Sequence, residues 1–202
     1  MPSAINKVIK IFPHPTTQPT VGQPTYKTLA EVNLKLNKNA ASVHSHLGNG
    51  QLGLLFLTIS PAIYNNQSNT VFVPPANPSP SPIIPQGFTA VQIADICQQY
   101  DVDSDLYTEY DMMDKALKSL LIDAVNKTYI QSLREKYIGY ANVTTKEMLA
   151  HLYLADTKIS DGYLEENDKR MRANYDVNQP MEVLIENIDD AVDIAAAADN
   201  PY

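Results

Sequence analysis

Thr144-Thr145-Lys146-Glu147-Met148-Leu149-Ala150-His151-Leu152 opens with the Thr-x-x-Glu pattern of a helix start. In that pattern a hydroxyl and a later carboxylate satisfy orphan backbone donors reciprocally, and Met148, Leu149 and Leu152 then fall on one face. Two more starts follow it. Ser160-Asp161-Gly162 leads a run with Leu164 and Met171 on one side and Glu165, Glu166, Asp168, Lys169, Arg170 and Arg172 around them, which predicts a largely solvated helix. Asn178-Gln179-Pro180-Met181-Glu182 leads the third. Proline suits the first helical turn, Glu182 suits the positive end of the helix dipole, and Leu184, Ile188, Ala191, Val192 and Ala195 predict a buried stripe. Three amphipathic runs in succession, with no cluster of reactive side chains among them, predict a segment that makes surfaces rather than reactions.

Towards the N-terminus the rhythm stays helical. Leu106, Tyr110, Met113, Leu117, Leu120 and Ala124 predict one face of a long helix capped by Asp103 or Ser104, and Phe88-Thr89 predicts the staple and cap of a separate helix through Ile93, Ile96, Cys97 and Tyr100. Tyr129, Ile130 and Leu133 continue the pattern to Tyr137 after a break near Asn126. Leu29, Val32, Leu36, Ala40, Val43 and Leu47 predict a helix closed by Gly48-Asn49-Gly50. Leu52 to Ile59 is too short for periodicity to separate a buried helix from a buried strand, and two short helices are preferred. Between Phe72 and Pro85, six prolines forbid any continuous helix or central strand and predict a polyproline-type connector. Pro2, Pro13, Pro15, Pro19 and Pro24, with the alternating Val8, Ile9, Ile11 and Phe12, predict an extended arm or an edge strand. The expectation is an all-α chain with helices over 25–47, 89–100, 104–126, 145–154, 162–172 and 180–197.

The 202 residues, 44 % of them hydrophobic, suffice for one ordinary domain or two small lobes with a real core. The single cysteine, Cys97, excludes an intramolecular disulfide framework and fits a reducing compartment. No signal-like N-terminal run and no apolar stretch near the roughly 20 residues of a membrane span is present, so a cytoplasmic protein without membrane contact is expected, and the sequons at Asn66, Asn126 and Asn142 read as chance matches. Charge is partitioned: residues 1–50 carry five lysines against one Glu, whereas 101–202 carry ten Lys or Arg against twenty-one Asp or Glu. Such an acidic half repels phosphates, which argues against direct nucleic-acid binding by the helical part.

Motifs with chemical potential fail on inspection. Asp101-Val102-Asp103-Ser104-Asp105 has the alternating carboxylates of a calcium loop, but Leu106 stands where the turn needs Gly and Met112 where a Glu should close the coordination sphere. His44 and His46 fall within the expected helix 25–47, about 200° apart and so unable to share a metal. His14 and His151 have no local partner. Asp156-Thr157-Lys158 lacks the Gly of an aspartic-protease loop, and there is no phosphate loop, nucleophile elbow or Cys-x-x-Cys. No catalytic residue, cofactor or metal site is expected, and the chain reads as a non-enzyme.

Val143-Thr144-Thr145-Lys146-Glu147-Met148-Leu149-Ala150-His151-Leu152 resembles the T-A-K-E-M-W-D-x-L segment of Gag polyproteins from copia-type LTR retrotransposons, with Leu149 in place of the usual Trp. Leu164 to Met171, and then Gln179 to Asp190, stand where that family has a helix, a short loop and a further helix. The second segment also resembles, loosely, the start of the retroviral capsid homology region, without its Phe and Arg. The resemblance covers roughly residues 105–200 and extends weakly to Leu29–Ile59, by order and spacing more than by invariant residues.

The resemblance implies an all-helical, capsid-like protein that associates with itself into a shell around element RNA. Behind the Pro-rich extended arm read over 1–24, it implies an N-terminal lobe over 25–173 with the Pro-rich loop 72–87 inside it, and the truncated start of a C-terminal lobe over 174–202. Gln179, Glu182, Leu184, Ile188 and Val192 would brace the lobes or the assembly. RNA contacts, where the family has them, would lie in a C-terminal part beyond this sequence. A monomeric helical adaptor is the alternative from a different class, its Pro74–Pro85 segment a ligand for an aromatic groove.

Overall fold

The computed structural model describes residues 4–20, 22–68, 70–156, 161–172 and 178–199. The fold is all-α. Its helices are α1 (Ala4–Ile11), α2 (Tyr26–Ser42), α3 (Pro61–Gln67), α4 (Ala90–Ala124), α5 (Thr145–Asp156), α6 (Asp161–Met171) and α7 (Met181–Asp199), with tight 3₁₀ turns at Leu47–Gly50, Leu55–Leu57 and Lys127–Leu133. No strand occurs among the described residues; an isolated bridge joins Glu135 to Gly139.

Helix starts follow the local chemistry. Thr144 accepts from the Glu147 amide at 3.2 Å while the Glu147 carboxylate takes the Thr144 amide at 2.8 Å, which is the reciprocal box expected before α5. Thr25 with Thr28 and Thr89 with Gln92 form the equivalent boxes for α2 and α4. Ser60 caps α3 ahead of Pro61.

Three expectations need correction. Residues 4–11 of the expected extended arm form α1, whose Ile5, Val8 and Ile9 pack against the core at helical spacing. Pro13, Pro15, Pro19 and Pro24 all follow this helix, so none of them interrupts it, and the extended course begins only after Ile11. The two helices expected over 89–100 and 104–126 are one: no Gly or Pro lies between Ala90 and Ala124, so Asp103 and Ser104 continue the helix and Gln99 donates to Asp103 at 2.9 Å. At 35 residues, α4 is about 52 Å long. Finally, α2 stops at Ser42 rather than at residue 47, and His44 and His46 lie beyond it with their rings edge to face at 5.4 Å.

The stop at Ser42 has a steric cause. The chain turns back under the end of α2, where the Leu54 amide donates to the Ala40 carbonyl at 3.0 Å. Gly53, at φ +53°, passes so close that a Cβ would sit 2.5 Å from the Val43 carbonyl oxygen and 2.8 Å from those of Ala40 and Ala41. Only glycine fits there.

The core is organised on the C-terminal half of α4. Met113, Ala116, Leu117, Leu120, Leu121 and Ala124 are buried against Leu29, Val32, Leu36 and Ala40 of α2 and Met148, Leu149, Leu152 and Tyr153 of α5. Phe12, Leu54, Leu57, Tyr64, Phe72 and Ile130 close it. Phe56 stacks on Phe72 at 4.5 Å between ring centres, and Lys146 Nζ sits over the Phe56 ring, 3.6 Å from its centre. The segment after α1 is tied down by polar bonds. Buried Asn39 accepts from the His14 amide at 2.9 Å and donates to its carbonyl at 2.8 Å, while Thr17 and Thr20 hydroxyls reach the Leu120 and Ala124 carbonyls at 3.0 Å.

The N-terminal half of α4 extends past this core, and no residue of it before Met113 is buried. The Pro-rich segment touches it where Tyr100 donates to the Ser79 carbonyl at 2.8 Å. Replacing Leu117, fully buried at the centre of the core, by Ala is expected to lower stability by about 2–5 kcal/mol. Denaturant melts of the two proteins measure this, and an unchanged midpoint contradicts the packing described.

Candidate assembly interface

The helix pair α6–α7 is built from strongly polar α6 and amphipathic, acidic α7. They pack chiefly on one another, and Ala191 and Ile194, both buried, lie outside the cluster organised on α4. The lobe boundary expected at residue 174 runs between these two paired helices. Ala191 has no side chain beyond Cβ, so α6 approaches closely enough for buried Asn167 to donate to the Ala191 carbonyl at 2.9 Å. Arg170 donates to the Asn167 side-chain oxygen at 3.1 Å, so both ends of that amide are engaged. A buried amide is costly unless bonded, and here its bonds fix the depth at which the two helices meet.

The candidate residues separate into distinct groups. Leu184 is half-buried on the side of α7 that also carries Ala191 and Ile194. Ile188 and Val192 do not join it: they are 42 % and 50 % exposed, together with Met181 at 54 % and Ile185 at 53 %. The expected single buried stripe is therefore corrected to two adjacent apolar faces, one against α6 and one open. The open residues recur at steps of four, three and four, which keeps them in line along a helix. Gln179 precedes α7 and Glu182 lies in its first turn; both are exposed, and Glu182 favours the positive end of the helix dipole.

Two polar clusters within the larger unit have structural explanations. Asp114 accepts from the buried Thr145 amide at 2.9 Å, the Thr145 hydroxyl donates to the Asp114 carbonyl at 3.0 Å, and Lys118 donates to the Val143 carbonyl at 2.6 Å while lying 3.7 Å from the Asp114 carboxylate. These bonds dock the start of α5 on α4. A cavity of about 160 Å³ adjoins them, lined also by Tyr107, Tyr110 and Asn142. Burial, then the nearby Asp114 charge, raises the Tyr110 hydroxyl above the ordinary tyrosine pKa. Burial lowers the Lys146 ammonium, against the opposing pull of Asp114.

The second cluster places His151 Nε2 within 3.0 Å of the Ser132 hydroxyl and 3.2 Å of the Tyr129 carbonyl. One ring nitrogen cannot both donate to that carbonyl and accept from the hydroxyl, so the contact ties the Lys127–Leu133 turn to α5 instead of activating Ser132. Sequence reasoning missed both clusters because their members come from elements far apart in the chain. Among the described residues no three His, Cys, Asp or Glu side chains group as a metal site, and no helix is long and apolar enough to cross a membrane.

No protein-family model, curated protein or solved structure matches this chain.

Since among the described residues α7 is held chiefly by its apolar face and the Asn167 amide, its backbone amides are expected to exchange faster than those of α4 between Met113 and Ala124. Replacing Asn167 by Ala should accelerate α7 further without changing α4, as read by hydrogen exchange with mass spectrometry. Equal slowing in both helices, insensitive to protein concentration, would place α7 in the main core.

Proposed function

We propose that this chain is a non-enzymatic structural protein that associates with itself, a Gag-like capsid component of a retrotransposon that builds a shell around element RNA. The observation that carries this reading is the open stripe Met181, Ile185, Ile188 and Val192 on α7. An aligned set of four half-exposed apolar side chains on one helix favours a face that another surface covers. The resemblance of the segment order to copia-type Gag proteins supports the same reading, as does the all-α build with a helix pair set apart from the larger core. The acidic balance of residues 101–202 is consistent with RNA contacts made by other parts of such a protein.

The adaptor alternative has one observation in its favour. Ile83 and Ile84, between Pro82 and Pro85, are 80 % and 46 % exposed, and the flanking prolines restrict the backbone so that a groove-type partner has less ordering to impose.

Light scattering and negative-stain electron microscopy at increasing protein concentration separate the two. Self-association is expected for the natural sequence, and Ile188→Asp is expected to abolish it while leaving helical circular dichroism intact. A monomer at every concentration, with no particles, would remove the capsid reading and leave the adaptor.

A further inference from the structure

The sequence of α7 contains six acidic residues and no basic one. Two copies laid stripe to stripe would bring these helices to an axial separation of about 8–10 Å, within about one Debye length at ordinary ionic strength, so that like charges oppose the contact. Charge complementarity points instead to a basic face. On α2, Lys27, Glu31, Leu34, Lys38 and Ala41 form an exposed line at steps of four, three, four and three, opposite the buried Leu29, Val32, Leu36 and Ala40. Leu34 is 53 % exposed at its centre, Glu31 is its single acid, and neither Lys27 nor Lys38 forms an ion pair among the described residues.

We propose that the α7 stripe of one copy docks across the exposed α2 face of the next, with Ile185 and Ile188 over Leu34, and with Glu182 and Asp189 near Lys27 and Lys38. The proposal rests on the self-association reading above and names the two surfaces that meet. Because the surfaces differ, each added copy leaves one of each kind free, so the contact propagates into rings or open arrays instead of stopping at a dimer. Four half-exposed apolar residues bury well under the roughly 800 Å² per partner of a standard interface, so each contact is weak alone and gains strength only where a ring closes.

The test uses the full 202-residue chain in sedimentation velocity, with Ile188→Asp blocking the α7 side and Leu34→Asp blocking the α2 side. The natural sequence is expected to associate, and to do so several-fold more weakly when NaCl rises from about 0.05 M to about 0.5 M. Each variant alone should be monomeric, and an equimolar mixture should form a one-to-one dimer through the intact face of each. If Leu34→Asp loses helical signal, Lys27→Glu with Lys38→Glu takes its place. Association of Leu34→Asp at the natural strength, with no new species on mixing, or association that strengthens with salt, overturns this pairing while self-association stands. A natural sequence that stays monomeric at low salt overturns both.

Discussion

Burial of the C-terminal half of α4 is the constraint on which the larger unit depends. Its residues from Met113 to Ala124 are covered by α1, α2 and α5, elements more than a hundred residues apart in the chain at the extremes. The backbone of the same half-helix also serves as an anchor: the Leu120 and Ala124 carbonyls accept the Thr17 and Thr20 hydroxyls, and the Asp114 carbonyl accepts that of Thr145. Packing and polar anchoring thus act on one short stretch. Loss of a large side chain there leaves a cavity that several elements share, which is why Leu117 is the sensitive position.

Much of this was legible in the sequence, for reasons that also explain the misses. The α5 start was readable because both partners of the capping box lie within four residues, and the α2 and α4 core faces because a three-four rhythm repeats over several turns. Helix α1 was missed because eight residues give barely two turns of rhythm, and the prolines after it dominated the segment's composition. The false break in α4 came from Asp103 and Ser104, good caps that are also tolerated inside a helix whose neighbours keep it going.

In α7 the difficulty was different. Leu184, Ile188, Ala191 and Val192 are all apolar and span two adjacent faces, so periodicity located a broad hydrophobic arc without saying which part α6 covers. The small Ala191 and the bolt from Asn167 decide that, and a contact between residues 24 positions apart has no signature in either helix alone. Of the candidate residues, Leu184 faces inward, Ile188 and Val192 face outward, and Gln179 and Glu182 stand exposed at the helix start. The outward pair becomes the more informative for function, since inward residues only hold α7 in place.

Methyl NMR of the full chain tests the central claim, that the outer face of α7 is a contact surface between copies. As concentration rises, the methyl signals of Ile185, Ile188 and Val192 should broaden or shift while that of Ile194, sealed against α6, stays constant. Changes confined to Ile194, or none at any of the four, would contradict it.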